Sequence, residues 1–340
     1  MWGHGRLSGR ARRRGTLIGV PTPRPAVRRR APVGAAVDVG AYSVHLLVAE
    51  VHGHRLVPIL DESSTLGLGA VVDERGELGF EAGYRLVETL VGYAETARSR
   101  GAGTIAFVAT DPLRRAADAP AVATAVAART GVAIEVLRHD EEALLALLGV
   151  QAGRPIRHQT VLVDVGGGSS EILISGPGMD PVASGLALGA SRMTRVHVSG
   201  DPPTRAEVEA LLAEARSVVA TAPDADPGDL VAVGGTADNL LRIGPRLARR
   251  VLTVRRIEGI LERLLAAPAE SISQEFGVRL SRARVLPAGA AILLAVAERY
   301  GRDQIRISND GLREGLVLAS AHAGSRWRAE LAWLAHGWSL

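Results

Sequence analysis

Val37-Asp38-Val39-Gly40-Ala41-Tyr42-Ser43-Val44-His45-Leu46-Leu47-Val48 has a counterpart later in the chain, Val163-Asp164-Val165-Gly166-Gly167-Gly168-Ser169-Ser170-Glu171-Ile172-Leu173-Ile174. The Asp, the first Gly and the Ser of the two stretches align without a gap. Each reads as an apolar strand, a tight polar turn and a second apolar strand. A duplicated β-hairpin with an acid at its bend points to two similar half-domains facing one phosphate site.

Working outward, residues 35–40, 44–51 and 55–60 read as strands. Residues 80–99 read as a helix, because Leu86, Leu90, Tyr93 and Ala97 recur at three- and four-residue spacing. A buried strand is expected over 103–110, a helix over 119–130 ended by Gly131, a strand over 132–137 and a helix over 140–149. The second hairpin covers 160–174, with a third strand over 181–188. Thr204 and Glu207 form a capping box ahead of a helix with Val208, Leu211, Leu212, Ala215 and Val219 on its apolar face. Further expectations are a strand over 229–234, helices over 256–266, 268–275 and 280–300, a short strand from Gln304 to Ser308, and helices over 311–318 and 325–336. Hairpins followed by alternating strands and helices in both halves define an α/β architecture with mixed sheets.

Nearly half of the residues are apolar, so a chain of 340 residues can build a large core. Cysteine is absent, which excludes disulfides, thiolate metal sites and a cysteine nucleophile. Lysine is absent as well, which excludes a P-loop or protein-kinase lysine. Residues 1–33 hold nine Arg and no acid, so of the formal +4 the remaining 307 residues carry +4 − 9 = −5. The basic character belongs to a Pro-, Gly- and Arg-rich tail, expected to be disordered, and not to a nucleic-acid-binding body. The tail is either an electrostatic tether or an inert extension, and the inert reading is preferred. No apolar run of about 18 residues is present, so no membrane span is expected.

Gly166-Gly167-Gly168-Ser169-Ser170 lets the backbone approach an anion. A dinucleotide or P-loop glycine run opens a helix, whereas Glu171-Ile172-Leu173-Ile174 is strand-like, so dinucleotide binding is disfavoured. Asp164 and Glu171 flank the loop and suit a hard cation held on a phosphate; the bland alternative is a turn-capping Asp and a solvated Glu. Gly234-Gly235-Thr236, at a strand-to-helix junction, is either an anion seat or a helix-initiating turn. Glu141 and Glu142 alone would read as an ordinary acidic first turn of a helix.

Taken in order, the two Asp-x-Gly hairpins and the Gly-Gly-Thr turn resemble the three nucleotide-phosphate loops of the actin, Hsp70 and sugar-kinase fold. Within that group the chain resembles the exopolyphosphatase/guanosine pentaphosphate phosphohydrolase (Ppx/GppA) family from about residue 35 to 319. The likeness is carried by Val37–Val48, Ala109-Thr110 with Leu113-Arg114, Glu141-Glu142-Ala143, Val163–Glu171, Leu188-Gly189-Ala190, Arg192 with Thr194, Gly234-Gly235-Thr236, Pro287-Ala288-Gly289 and Gly311–Gly315. The resemblance implies two actin-like (ribonuclease H-like) domains with mixed five-stranded sheets flanked by helices and an active site in the cleft between them. Their expected extents are 34–138, completed by helices at about 319–336, and 139–318. It also implies Mg²⁺-assisted removal of a terminal phosphate from polyphosphate, or conversion of pppGpp to ppGpp. The implied base is Glu142 with Glu141 as neighbour. The implied metal ligands are Asp164, Glu171 and Asp38; the implied phosphate contacts are Gly40, Ser43, Arg114, Gly166, Gly167, Gly168, Ser169, Gly235 and Thr236. A cytoplasmic protein, a possible homodimer, and no specific nucleic-acid or membrane partner complete the expectation. The rival readings are an ATP-dependent kinase of the same fold and a non-catalytic binder of (p)ppGpp or polyphosphate. Three positions depart from the family pattern: Gly40-Ala41-Tyr42-Ser43 for Gly-Ser-Asn-Ser, Asp111-Pro112 for Ser-Ala, and His139 or Asp140 for the glycine before the paired glutamates.

Overall fold

The two hairpins each seed a sheet of the same topology. In the computed structural model, which describes residues 1–2, 31–153, 155–244 and 249–337, the first sheet contains β1 (Val33–Val39), β2 (Ser43–His52), β3 (Arg55–Thr65), β4 (Thr104–Ala109) and β5 (Ile134–Val136). Its order is β3-β2-β1-β4-β5, an antiparallel meander continued by two parallel strands. The second sheet contains β6 (Thr160–Val165), β7 (Ser170–Ser175), β8 (Val182–Leu186), β9 (Asp229–Val233), β10 (Val251–Thr253) and β11 (Gln304–Ile307). Along it, β8-β7-β6-β9-β11 repeats the order and the antiparallel-then-parallel pairing of the first. This is the actin-like arrangement. The second sheet is six-stranded rather than five-stranded, because β10 adds an antiparallel edge to β11. Three residues are too few for period-two alternation to register in sequence. The Arg-rich stretch expected to be disordered falls almost wholly outside the described residues.

Alternation along the strands sets the layers. Ala35, Val37 and Val39 of β1 pack with Leu86, Leu90 and Tyr93 of α2 (Gly79–Ser99) and Val122 and Val126 of α4 (Ala119–Thr130), where α1 is Leu68–Arg75 and α3 Asp111–Arg115. Ala36 faces the opposite side, with Leu145 and Leu148 of α5 (His139–Gly153). Ala143, Ala146 and Leu147 of α5 meet Leu162 and Leu173 of the second sheet, so this one helix serves both cores. The other face of the second sheet is covered by α6 (Ala190–His197), α7 (Arg205–Val219), α8 (Gly234–Arg242), α9 (Val254–Ala266), α10 (Ala269–Phe276), α11 (Leu280–Ala283) and α12 (Leu286–Arg299). The helix expected over 280–300 is divided between α11 and α12. Pro287 sits in the first turn of α12, where its missing N–H costs nothing and its ring disfavours a helix running in from before.

Two C-terminal helices, α13 (Leu312–Ala323) and α14 (Trp327–Gly337), return to the first sheet. α13 crosses α5 at backbone contact. A Cβ on Gly315 would lie 1.9 Å from the Leu145 carbonyl oxygen, and one on Gly149 would lie 2.1 Å from that of Gly311. Only glycine permits this approach, and it fixes α5, with Glu141 and Glu142 in its first turn, between the sheets. Among the described residues, no helix is long and apolar enough to cross a membrane.

Candidate active site

The two hairpin turns are built alike. Gly40 N–H donates to the Ser43 carbonyl at 3.1 Å, and Gly166 N–H donates to the Ser169 carbonyl at 3.0 Å. In cross-strand register Asp38 faces His45 and Asp164 faces Glu171. Thr110, after β4, donates to the Val39 carbonyl at 3.4 Å, and Thr236, after β9, donates to the Val165 carbonyl at 2.7 Å. The duplication thus extends to the strand that follows each hairpin in its sheet. Both turns open into one cavity of about 120 Å³, lined among others by Asp38, Asp111, Glu142, Asp164, Gly166–Ser169, Glu171, Gly234, Gly235 and Arg282.

Five carboxyl groups converge there, and four of them are pushed above their ordinary range. Burial pushes Asp38 up to about 7, with neighbouring Asp164 adding to the rise and Arg313 opposing it. Asp164 is pushed up to about 6 by burial. Glu171 is pushed up to about 8 by burial and then by Asp164, against the pull of Arg114. Glu142 lies well above the usual carboxylate range because it is buried and because Glu171 is near. Asp38 Oδ1 is buried without a hydrogen-bond partner among the described residues. Gly234 makes room for this crowd: its φ is +83°, and a Cβ there would lie 2.5 Å from Asp164 Oδ1.

Arg114, from α3, ties Glu142 to the glycine loop. Its guanidinium donates to Glu142 Oε2 at 2.5 Å, to the Leu137 carbonyl at 2.9 Å and to Ser169 Oγ at 3.3 Å. Ser169 Oγ donates in turn to Glu171 Oε1 at 3.0 Å. Asp111 is not the partner of Arg114: Arg115 takes it through Nε at 3.1 Å and Nη2 at 2.7 Å. Asp118 is likewise occupied, by the backbone N–H groups of Leu78 and Gly79.

The structure divides the paired glutamates. Glu142 faces the cavity, whereas the Glu141 carboxylate accepts from Arg138 N–H at 2.8 Å and from Arg328 of α14 at 2.8 Å through both Nε and Nη2. Glu141 joins α14 to the first turn of α5, which an acid suits at that end of a helix. Some expected phosphate donors are also already engaged. The Gly40 and Gly166 N–H groups close their turns, and the Thr236 hydroxyl holds β6. Ser43 Oγ lies 2.7 Å from His45 Nε2, whose pKa is lowered to about 3 by burial and by Arg313 and Arg282, so this imidazole is neutral.

Arg282 was not legible in the sequence. It comes from α11, donates to Ser43 Oγ at 3.2 Å and lies over the Tyr42 ring at 4.3 Å from its centroid. Burial lowers its pKa, and no carboxylate among the described residues forms an ion pair with it. It is one Arg in an Arg-rich chain with no motif around it. Only the fold brings it opposite the first turn.

A model of the Ppx/GppA phosphatase family matches residues 47–323. The chain belongs to that family. Exopolyphosphatase 1 of Mycobacterium leprae is 33% identical over 303 residues, covering 83% of this chain and 87% of that protein. Exopolyphosphatase 1 of Mycobacterium tuberculosis H37Rv is 32% identical, with 83% and 86% covered. Among solved structures, a Ppx/GppA family member from Aquifex aeolicus superposes with a TM-score of 0.76 at 26% identity, covering 86% of this chain and 99% of that one. An exopolyphosphatase from Cytophaga hutchinsonii, at 22% identity and a TM-score of 0.77, shows the same fold. In this Ppx/GppA protein, residues expected to depart from the family pattern lie in or beside the cavity. Tyr42 carries Arg282, Asp111 is neutralised by Arg115, and the imidazole of His139 reaches Glu171 Oε1 at 2.7 Å.

Proposed function

We propose that this protein is an exopolyphosphatase: it hydrolyses the terminal phosphoanhydride of inorganic polyphosphate and releases orthophosphate. The observation that carries the reading is Glu142, a buried carboxylate of raised pKa facing the glycine loop, within a chain whose mycobacterial relatives are named exopolyphosphatases. A carboxylate with its pKa moved toward neutrality is suited to take a proton from water. Arg114 holds Glu142 at 2.5 Å and links it through Ser169 to the loop where a terminal phosphate would sit. The negative charge of that phosphate would be met by Arg114 of α3, which reaches Ser169 of the second hairpin turn, and by Arg282 of α11, which reaches Ser43 of the first.

The remaining acids fit a hard divalent cation. Burial raises the pKa of Asp38, Asp164 and Glu171, Asp164 adds to the rise of the other two, and Asp38 Oδ1 has no hydrogen-bond partner among the described residues, an arrangement that oxygen-seeking Mg²⁺ would relieve. When bound, such an ion supplies charge neutralisation on the phosphate oxygens. The two sheets with their helices would act as two actin-like domains, 34–138 with the C-terminal helices and 139–318, closing on the substrate. The test is orthophosphate release from long-chain polyphosphate, short-chain polyphosphate and pppGpp with Mg²⁺. Release from polyphosphate without an acceptor supports the reading. Release from pppGpp alone would move it to guanosine pentaphosphate hydrolysis, and tight binding without turnover would make the protein a sensor.

A further inference from the structure

His139 opens α5, and its ring turns back toward Glu171. Its Nδ1, a Glu142 carboxylate oxygen and a Glu171 carboxylate oxygen all lie within 4.8 Å of one another. The seat is built for the ring: a Cβ on Gly185, the cross-strand partner of Glu171, would lie 2.2 Å from His139 Cγ. Both glutamates are buried, and the imidazole is half-exposed at the mouth.

A cation already occupies the centre of this trio. The Arg114 guanidinium sits with Nη1 2.5 Å from Glu142 Oε2, and Nη2 3.3 Å from His139 Nδ1 and 4.0 Å from Glu171 Oε1. The arrangement leaves Nδ1 frustrated. A hydrogen on Nδ1 suits Glu171 at 2.7 Å, and a lone pair suits the guanidinium at 3.3 Å, but a neutral imidazole nitrogen offers one or the other. A metal ion in place of the guanidinium would take the Nδ1 lone pair and both carboxylates together. One imidazole nitrogen with two carboxylates is a donor set for first-row transition ions, whereas Mg²⁺ favours all-oxygen ligation.

We propose that His139, Glu142 and Glu171 form a binding site for a divalent transition ion such as Zn²⁺, sharing Glu171 with the all-oxygen site but distinguished from it by the His139 nitrogen and Glu142, and that its occupation blocks hydrolysis by taking Glu142 out of service. The binding half stands on the geometry alone. The inhibitory half rests on the proposed role of Glu142. The two are tested apart. Metal-stripped full-length protein is titrated with Co²⁺, read by visible absorption in the absence of substrate, and then with Zn²⁺ and Mg²⁺ by calorimetry. The expected result is one equivalent of Co²⁺ giving nitrogen-shifted visible bands, displaced by Zn²⁺. His139→Gly should weaken Co²⁺ and Zn²⁺ binding at least tenfold with Mg²⁺ binding unchanged. His139→Gln, which keeps a side chain over Gly185, should do the same, and the melting temperature of both variants reports folding. Unchanged Co²⁺ affinity in both folded variants, or no Co²⁺ binding by the wild type below millimolar concentration, overturns the site. In a phosphate-release assay, Zn²⁺ should inhibit the wild type at a concentration at least tenfold lower than it inhibits His139→Gln. Equal inhibition with intact Co²⁺ binding overturns the inhibitory half and leaves the site standing. A wild type that binds Co²⁺ but hydrolyses no phosphoanhydride refutes the exopolyphosphatase reading and the inhibitory half that depends on it, not the site.

Discussion

Glu142→Gln is the perturbation that separates chemistry from architecture in this cleft. The amide is isosteric with the carboxylate and keeps an oxygen to accept from Arg114 at the 2.5 Å contact. It cannot take a proton from water. Positioned general-base assistance contributes about 10²–10⁴-fold, so kcat should fall by that factor, equivalent to about 2.7–5.4 kcal/mol of barrier at 1.36 kcal/mol per decade. The fold should not suffer. The neutral amide weakens the pairing with Arg114 but removes the burial cost and the repulsion from Glu171 that hold Glu142 above the ordinary carboxylate range, and the two effects oppose one another. The assay is orthophosphate release from polyphosphate under saturating Mg²⁺, beside equilibrium binding of the same polyphosphate and a thermal melt. Turnover reduced at least a hundredfold, with binding and melting temperature retained, is expected. A folded variant that releases phosphate at close to the wild-type rate refutes the assignment of Glu142 as base.

Three further outcomes follow from the same geometry. Asp38, Asp164 and Glu171 have folded-state pKa values of about 7, 6 and 8, above their ordinary values, so the folded state binds more protons than the unfolded chain. In chelator their contribution to stability is present at and below about pH 4 and is lost as pH rises through 6 to 8, and melting curves across pH 4–9 should show that decline, flattened in Glu171→Gln and reversed at pH 8 by divalent cation. Arg282→Ala removes a part-buried charge from the cleft and should raise the KM for polyphosphate by about 13- to 160-fold, the equivalent at 1.36 kcal/mol per decade of the 1.5–3 kcal/mol typical of a charged hydrogen bond, with a smaller effect on kcat, as steady-state kinetics would show. Gly315→Ala forces a methyl into the Leu145 carbonyl, and overpacking of about 1–3 kcal/mol should lower the melting temperature by several degrees and reduce activity by shifting α5.

The hairpin pair was legible because tandem strand-turn-strand patterning is local, and its repetition carried the topology of both sheets. The helix over 80–99 followed from one apolar stripe, buried as expected at Leu86, Leu90, Tyr93 and Ala97. Elements of five to eight residues such as α1, α3 and α6 were missed, since one or two turns show no periodicity. Within the site, the glycine loop and the paired glutamates stand out in sequence, but which glutamate faces the cleft depends on Arg328, nearly 190 positions away. Arg282, and the contact of His139 with Glu171, became visible only through tertiary placement. Their partners, Tyr42 and Glu171, lie far from them along the chain, and no spacing links them.

The most direct test of the central claim is ³¹P NMR of defined-length polyphosphate incubated with the protein and Mg²⁺, without acceptor, in ¹⁸O-labelled water. The account predicts orthophosphate carrying one ¹⁸O from water, appearing as chain-end signals persist and internal signals decline. Cleavage within the chain, phosphoryl transfer that requires an acceptor, or the absence of turnover would contradict it.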